Sequence, residues 1–123
     1  MKKMLQKGDG RLNVCLQWEC VGSDLLILLT GGERPHIGAS VIAWNTENGV
    51  RSHAMPVPGH KELELAVSCA ERCCHVWGHT VQVSCGIHID MAQKEEIVEL
   101  VRMASDLTER FLEEISKETA GAN

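Results

Sequence analysis

The chain has 123 residues, 44% of them hydrophobic and 24% charged, with a formal charge of −5, which suits one globular domain over residues 1–123 that can bury a core without staples. The acidic balance excludes bulk binding of a phosphate backbone, which needs a basic surface. No stretch approaches the ~20 apolar residues of a membrane span, and the opening MKKMLQKGDGR meets charge where a secretory leader would turn apolar, so a cytoplasmic protein that engages neither nucleic acid nor membrane is expected.

With no Tyr and a single Phe, the core must be mostly aliphatic. After a short polar lead, VCLQWEC alternates, with Val14, Leu16, Trp18 and Cys20 on one side, the period of a half-buried strand. VGSD makes a turn, and DLLILLTGG is a continuous apolar run of strand length, so the two form a hairpin. A third strand runs from His36 to Asn45, and an Asn-Gly turn leads into a shorter fourth, completing a β-meander. Pro56, Pro58 and Gly59 break the pattern, after which Leu63, Ala66, Val67, Ala70, Cys74 and Trp77 fall on one stripe of a helix of about four turns.

HTVQVSCGIHID alternates cleanly and is the best strand in the chain. Asp90 and Gln93 have the spacing of an N-cap and its reciprocal partner, and Ile97, Leu100, Val101, Ala104, Leu107, Phe111 and Ile115 continue an amphipathic helix. The Asp90 carboxylate has a second reading, as the group that orients His88 from the same face. The order ββββαβα predicts an α+β fold, a mainly antiparallel sheet with two helices packed on one face.

Two segments mirror each other: His36-Ile37-Gly38 and Gly86-Ile87-His88. Residues two apart share a strand face, so each imidazole would stand beside bare sheet, a place for a flat ligand. That uncovered face would carry His36, Gly38, Ser40, Gly86 and His88, and must meet solvent, ligand or another subunit. Two imidazoles on adjacent strands and a third from a loop can close a metal site with an open position. His60, in PGHKE, stands where a helix start also favours an anion, and Glu62 is near enough to be a fourth ligand or to support one. Singly, each histidine is more simply a surface or hydrogen-bonded residue; the grouping carries the argument.

Gly31-Gly32 and Arg34 offer backbone donors and a positive charge suited to phosphate, with a plain turn and an exposed arginine as the equal alternative. His53, His75 and His79 are weaker candidates. The six cysteines lack a zinc-type Cys-x-x-Cys pair and should stay thiols, although Cys69 and Cys73 would be neighbours on one helix. No Gly-x-Gly-x-x-Gly, Walker loop or nucleophile elbow is present.

Taken together, GGERPHIGA, PGHKE and GIHIDMAQKEEI resemble the small LpdD-like proteins, prenylated-flavin chaperones that accompany UbiD-type decarboxylases; the resemblance spans about residues 24 to 103. It places His36, His60 and His88 at the family's histidine positions, with Glu62 and Asp90 also matching. The resemblance implies binding of prenylated flavin mononucleotide with a divalent metal ion, and delivery or oxidative maturation of that cofactor for a hydroxyarylic acid decarboxylase. The expected metal ligands are His36, His60, Glu62 and His88, and the expected cofactor contacts are Gly32, Arg34, Gly38, Lys61 and Gly86. Two readings compete: a small metal-dependent decarboxylase or hydrolase with Glu62 as general base, and a structural subunit that clamps a decarboxylase. The half-exposed sheet face also predicts a homo-oligomer.

Overall fold

The structure is a computed structural model and describes residues 3–59 and 62–121. The elements are β1 (Met4–Asp9), β2 (Leu12–Val21), β3 (Asp24–Gly32), β4 (Ala39–Thr46), β5 (Gly49–Pro56), α1 (Leu63–Trp77), β6 (Val81–His88) and α2 (Lys94–Gly121). The strands form one six-stranded sheet in the order β1-β2-β3-β6-β4-β5. β3 and β6 run parallel, and the other four pairings are antiparallel. The α+β class with two helices on one face therefore holds.

The order of elements differs from expectation in two ways. The polar lead is itself a strand, β1, paired with β2 from Met4↔Gln17 to Asp9↔Leu12. As an edge strand it needs little apolar character: Leu5 sits opposite the buried Leu16, and Lys7 reaches Asp106 of α2 at 3.3 Å. The meander is also broken, because β6 inserts between β3 and β4. The reason lies in β6, whose residues from Val83 to Gly86 are all buried; a strand covered on both faces belongs in the centre of the sheet. Residues 33–38 consequently cross the end of β6 rather than turning directly from β3 into β4.

Local chemistry fixes the hairpins. β2 and β3 join through Gly22-Ser23, with Gly22 at φ 61°, a left-handed conformation that glycine adopts without strain. At the β4–β5 turn, the Thr46 hydroxyl donates to the Gly49 carbonyl at 2.8 Å and accepts from the Asn48 N–H at 3.1 Å.

The core lies between the sheet and the helices. Val14, Leu16, Ile27, Leu29, Val41, Val81 and Val83 meet Ala66, Cys69, Ala70 and Cys73 of α1 and Leu107, Phe111 and Ile115 of α2, all of them buried. Small side chains on α1 let it lie close above the buried Ala39 and Ala43 of β4. Trp18 belongs to this core, its ring 4.8 Å from that of Phe111, while Trp77 donates its indole N–H to the Ser23 carbonyl at 2.7 Å. All six cysteines are free thiols, and burial pushes the Cys85 thiol up, away from reactivity. The opposite sheet face is less polar than expected: Ser40 and Ser84 hydroxyls bond at 2.8 Å, but Leu28, Ile42 and Trp44 lie partly exposed beside them.

Candidate cofactor site

Three segments converge where β3 and β6 end: residues 33–38, the start of α1, and the turn after His88. Glycines allow the approach. Gly32 has φ 77°, and a side chain there would overlap the His88 carbonyl, which accepts from the N–H groups of Glu33 at 2.8 Å and Arg34 at 3.2 Å. A side chain at Gly86 would collide with the His36 carbonyl, and one at Gly38 with the Glu62 carboxylate. The Gly38 N–H donates to the Cys85 carbonyl at 2.8 Å. His36 is thus not a strand residue, since β4 begins only at Ala39. The bare sheet expected beside the histidines is filled at Gly86 by the chain's own segment 36–38.

This packing sets His36 against Glu62. The ring Nδ1 of His36 lies 3.0 Å from the Arg34 carbonyl, to which it donates when protonated, and its Nε2 lies 3.2 Å from Glu62 Oε1. The side chains are 22% and 12% exposed. Glu62 Oε2 is buried with no hydrogen-bond partner among the described residues. In a neutral imidazole whose Nδ1–H is bound to a carbonyl, Nε2 is a lone pair. In that tautomer the lone pair would face the Glu62 carboxylate, an arrangement that positive charge between them, a proton or a metal ion, would satisfy. A histidine held through Nδ1 by a carbonyl and aiming Nε2 at an acidic side chain has the donor chemistry of a divalent-cation site.

His88, Arg34 and Asp90 form a second, more open cluster. His88 Nε2 lies 3.0 Å from Arg34 Nη2 and 3.1 Å from Asp90 Oδ1, and Arg34 pairs directly with Asp90. Arg34 and Asp90 are 65% and 59% exposed. The His88 hydrogen bond first, and then the Arg34 charge, hold the Asp90 carboxyl below its ordinary range. The Asp90 N–H donates to Glu33 Oε1 at 2.8 Å, and Arg11 donates to the Asp90 carbonyl at 2.8 Å. Met91 follows at φ 50° with its side chain exposed.

The expected cap by Asp90 is therefore replaced. α2 starts four residues later, and Glu96 reaches back to the Gln93 N–H at 3.0 Å, the returning half of a capping box. The site reading of Asp90, as a partner of His88, is the one the geometry carries.

Of the four expected metal ligands, His36, Glu62 and His88 come together, with the His36 and His88 ring centres 6.3 Å apart and edge-on. His60 and Lys61 lie outside the described residues. Among the described residues, no group of three or more His, Cys, Asp or Glu side chains is arranged to hold a metal ion. The other histidines stand elsewhere: His53 on β5 opposite Ile42, His75 exposed on α1 and His79 exposed before β6.

A cleft of about 620 Å³ opens beside this cluster, between α1 and α2, with Glu62 and His88 at one end. Sequence reasoning missed it, because Ile97 and Val101 fall on the apolar stripe of α2 and were expected in the core. They are 51% and 49% exposed, since the first turns of α2 stand beside the groove with nothing among the described residues packed across them. No helix among the described residues is long and apolar enough to cross a membrane.

Known proteins extend the picture. Protein LpdD of Lactiplantibacillus plantarum is 27% identical over 96 residues, covering 76% of this chain and 71% of that protein. A chain from the crystal structure of a novel chaperone complex for yeast 20S proteasome assembly superposes with a TM-score of 0.59, over 89% of this chain and 97% of its own, at 8% identity; that is a likeness of fold alone. The family described as the prenylated flavin chaperone LpdD-like domain matches residues 8–116, a span that includes the whole convergence of His36, Glu62 and His88, and the chain belongs to that family.

Proposed function

We propose that this protein binds prenylated flavin mononucleotide with the help of a divalent metal ion, and keeps or matures it for a UbiD-type decarboxylase. The observation that carries the metal is the pairing of His36 Nε2 with Glu62, whose second carboxylate oxygen is buried without a partner among the described residues. These two residues fit a divalent cation, and His60 is proposed to complete the set. His88, held close by its ring contact with His36, is the remaining ligand candidate, for which its Nε2 must exchange Arg34 and Asp90 for the cation. A bound cation would supply charge and a fixed geometry to an electron-rich edge of the reduced flavin.

The chain's own groups do the rest. Arg34 and Lys61 bring positive charge to an anionic cofactor. Gly32, Gly38 and Gly86 act by letting the His36 segment, Glu62 and β6 close on one another, so the cofactor meets a preformed wall. The apolar centre of the open sheet face, at Leu28, Ile42 and Trp44, favours a homo-oligomer in the cytoplasm.

The test is a titration of metal-stripped protein with prenylated flavin mononucleotide, with and without a divalent metal, followed by absorbance in wild type, His36→Ala and Glu62→Gln. Metal-dependent binding that both variants weaken by tenfold or more is the expected result. Equal binding with and without metal removes the metal from the account, and no binding under any metal removes the flavin.

A further inference from the structure

The groove between the helices has a polarity gradient. At the sheet end it is bounded by Glu62 and His88; its middle is apolar, with Leu65, Leu100 and Val101; its far end carries Ser68, Arg72 and Ser105. Arg72 is the one cation among the described lining residues. It stands ten residues along α1 from Glu62, about 15 Å at the helical rise. That separation is within the reach of an extended flavin mononucleotide from ring to phosphate.

We propose that the far end of this groove, formed by Arg72 with Ser68 and Ser105, is the subsite for the phosphate of the bound flavin, with the ring system lying over the apolar middle and its polar edge at Glu62 and His88. This rests on the flavin-binding reading above and adds an orientation to it. The near end is a poorer place for a phosphate dianion, because Glu62 and Glu64 line it with negative charge and the Arg34 guanidinium beside it is already paired with Asp90. The positive pole of α1, which would otherwise attract an anion, already has Glu62 at its N-cap position. At the far end the guanidinium offers a planar fork to phosphate oxygens, and two hydroxyls can add donors.

Arg72 is now paired with Glu109 of α2. Glu109 is 59% exposed, so this is a surface ion pair of small net value, and Glu109 can turn out to solvent when a phosphate arrives. The pair acts as a stand-in that holds the guanidinium in the groove.

The experiment compares prenylated flavin mononucleotide with the same compound after phosphatase treatment, at fixed divalent metal, in wild type, Arg72→Met and Arg34→Ala. In wild type, loss of the phosphate should weaken binding at least tenfold. In Arg72→Met that dependence should shrink to within twofold while binding of the dephosphorylated form is unchanged; in Arg34→Ala it should persist. Persistence in Arg72→Met, or its loss in Arg34→Ala instead, overturns the subsite and leaves the flavin reading standing. Binding of neither form by wild type overturns both. Should Arg72→Met lose its circular dichroism, Ser105→Leu carries the test from α2, by the same comparison and with the same two outcomes.

Discussion

The two histidine clusters lie one ring contact apart and solve opposite problems. Around His88, donor and acceptor are both present: Arg34 supplies the charge that Asp90 needs, and both are open to water. Around His36, the imidazole and Glu62 are largely shielded, and one carboxylate oxygen has no partner among the described residues. An exposed cluster that balances its own charge is inexpensive and screened. A shielded carboxylate oxygen with no partner among the described residues is costly until a proton or metal arrives, and such deficits mark the places where a protein binds something.

The largest effect should come from removing what brings the shielded pair together. Gly86→Val places a side chain where the His36 carbonyl now lies, so residues 36–38 must lift from β6; a loss of about 2–3 kcal/mol in urea denaturation is expected, together with loss of metal-dependent binding. Glu62→Gln should separate stability from function. Its amide can donate to His36 Nε2, so the metal-free protein should be as stable as wild type or more stable by about 1 kcal/mol, while affinity for metal falls by about 10- to 100-fold.

Arg34→Ala probes the open cluster, and the effect should be smaller: a few-fold weaker flavin binding, with the wild-type advantage fading as salt rises from 0.05 to about 1 M. The smallest effect is in pH. The Asp90 carboxyl is held low in the folded protein, so its contribution to stability is present above the ordinary carboxylate value and is lost as pH falls through the folded value. Wild type should therefore lose slightly more melting temperature than Asp90→Asn between pH 5 and about pH 2. Equal losses would mean that the Arg34–His88–Asp90 contacts contribute nothing to folding.

Much of this was legible in the sequence. The alternation of β2 and the apolar stripe of α1 each reported a single buried face, and local periodicity is enough for that. The edge strand β1 was hidden because Met4–Asp9 buries little, and the insertion of β6 between β3 and β4 was hidden because strand order is a property of pairing rather than of any one segment. The site was half visible. The mirrored His-Ile-Gly and Gly-Ile-His segments do lie side by side, with the His36 and His88 ring centres 6.3 Å apart, although His36 precedes its strand. Their glycines, though, serve chain-to-chain packing, and the partner chosen by Asp90, a histidine in place of a helix end, depends on where residues 33–38 cross. Ile97 and Val101 carried the one signal for the groove, an apolar stripe longer than the sheet that covers it.

The central claim is that His36 and Glu62 await a cation. The most direct test is nitrogen-resolved NMR of the histidine side chains in metal-stripped protein, before and after addition of zinc, in wild type and Glu62→Gln. The account predicts a zinc-induced shift at the His36 Nε2 in wild type, reached in Glu62→Gln only at zinc concentrations higher by about 10- to 100-fold. An Nε2 signal that ignores zinc in wild type would contradict it.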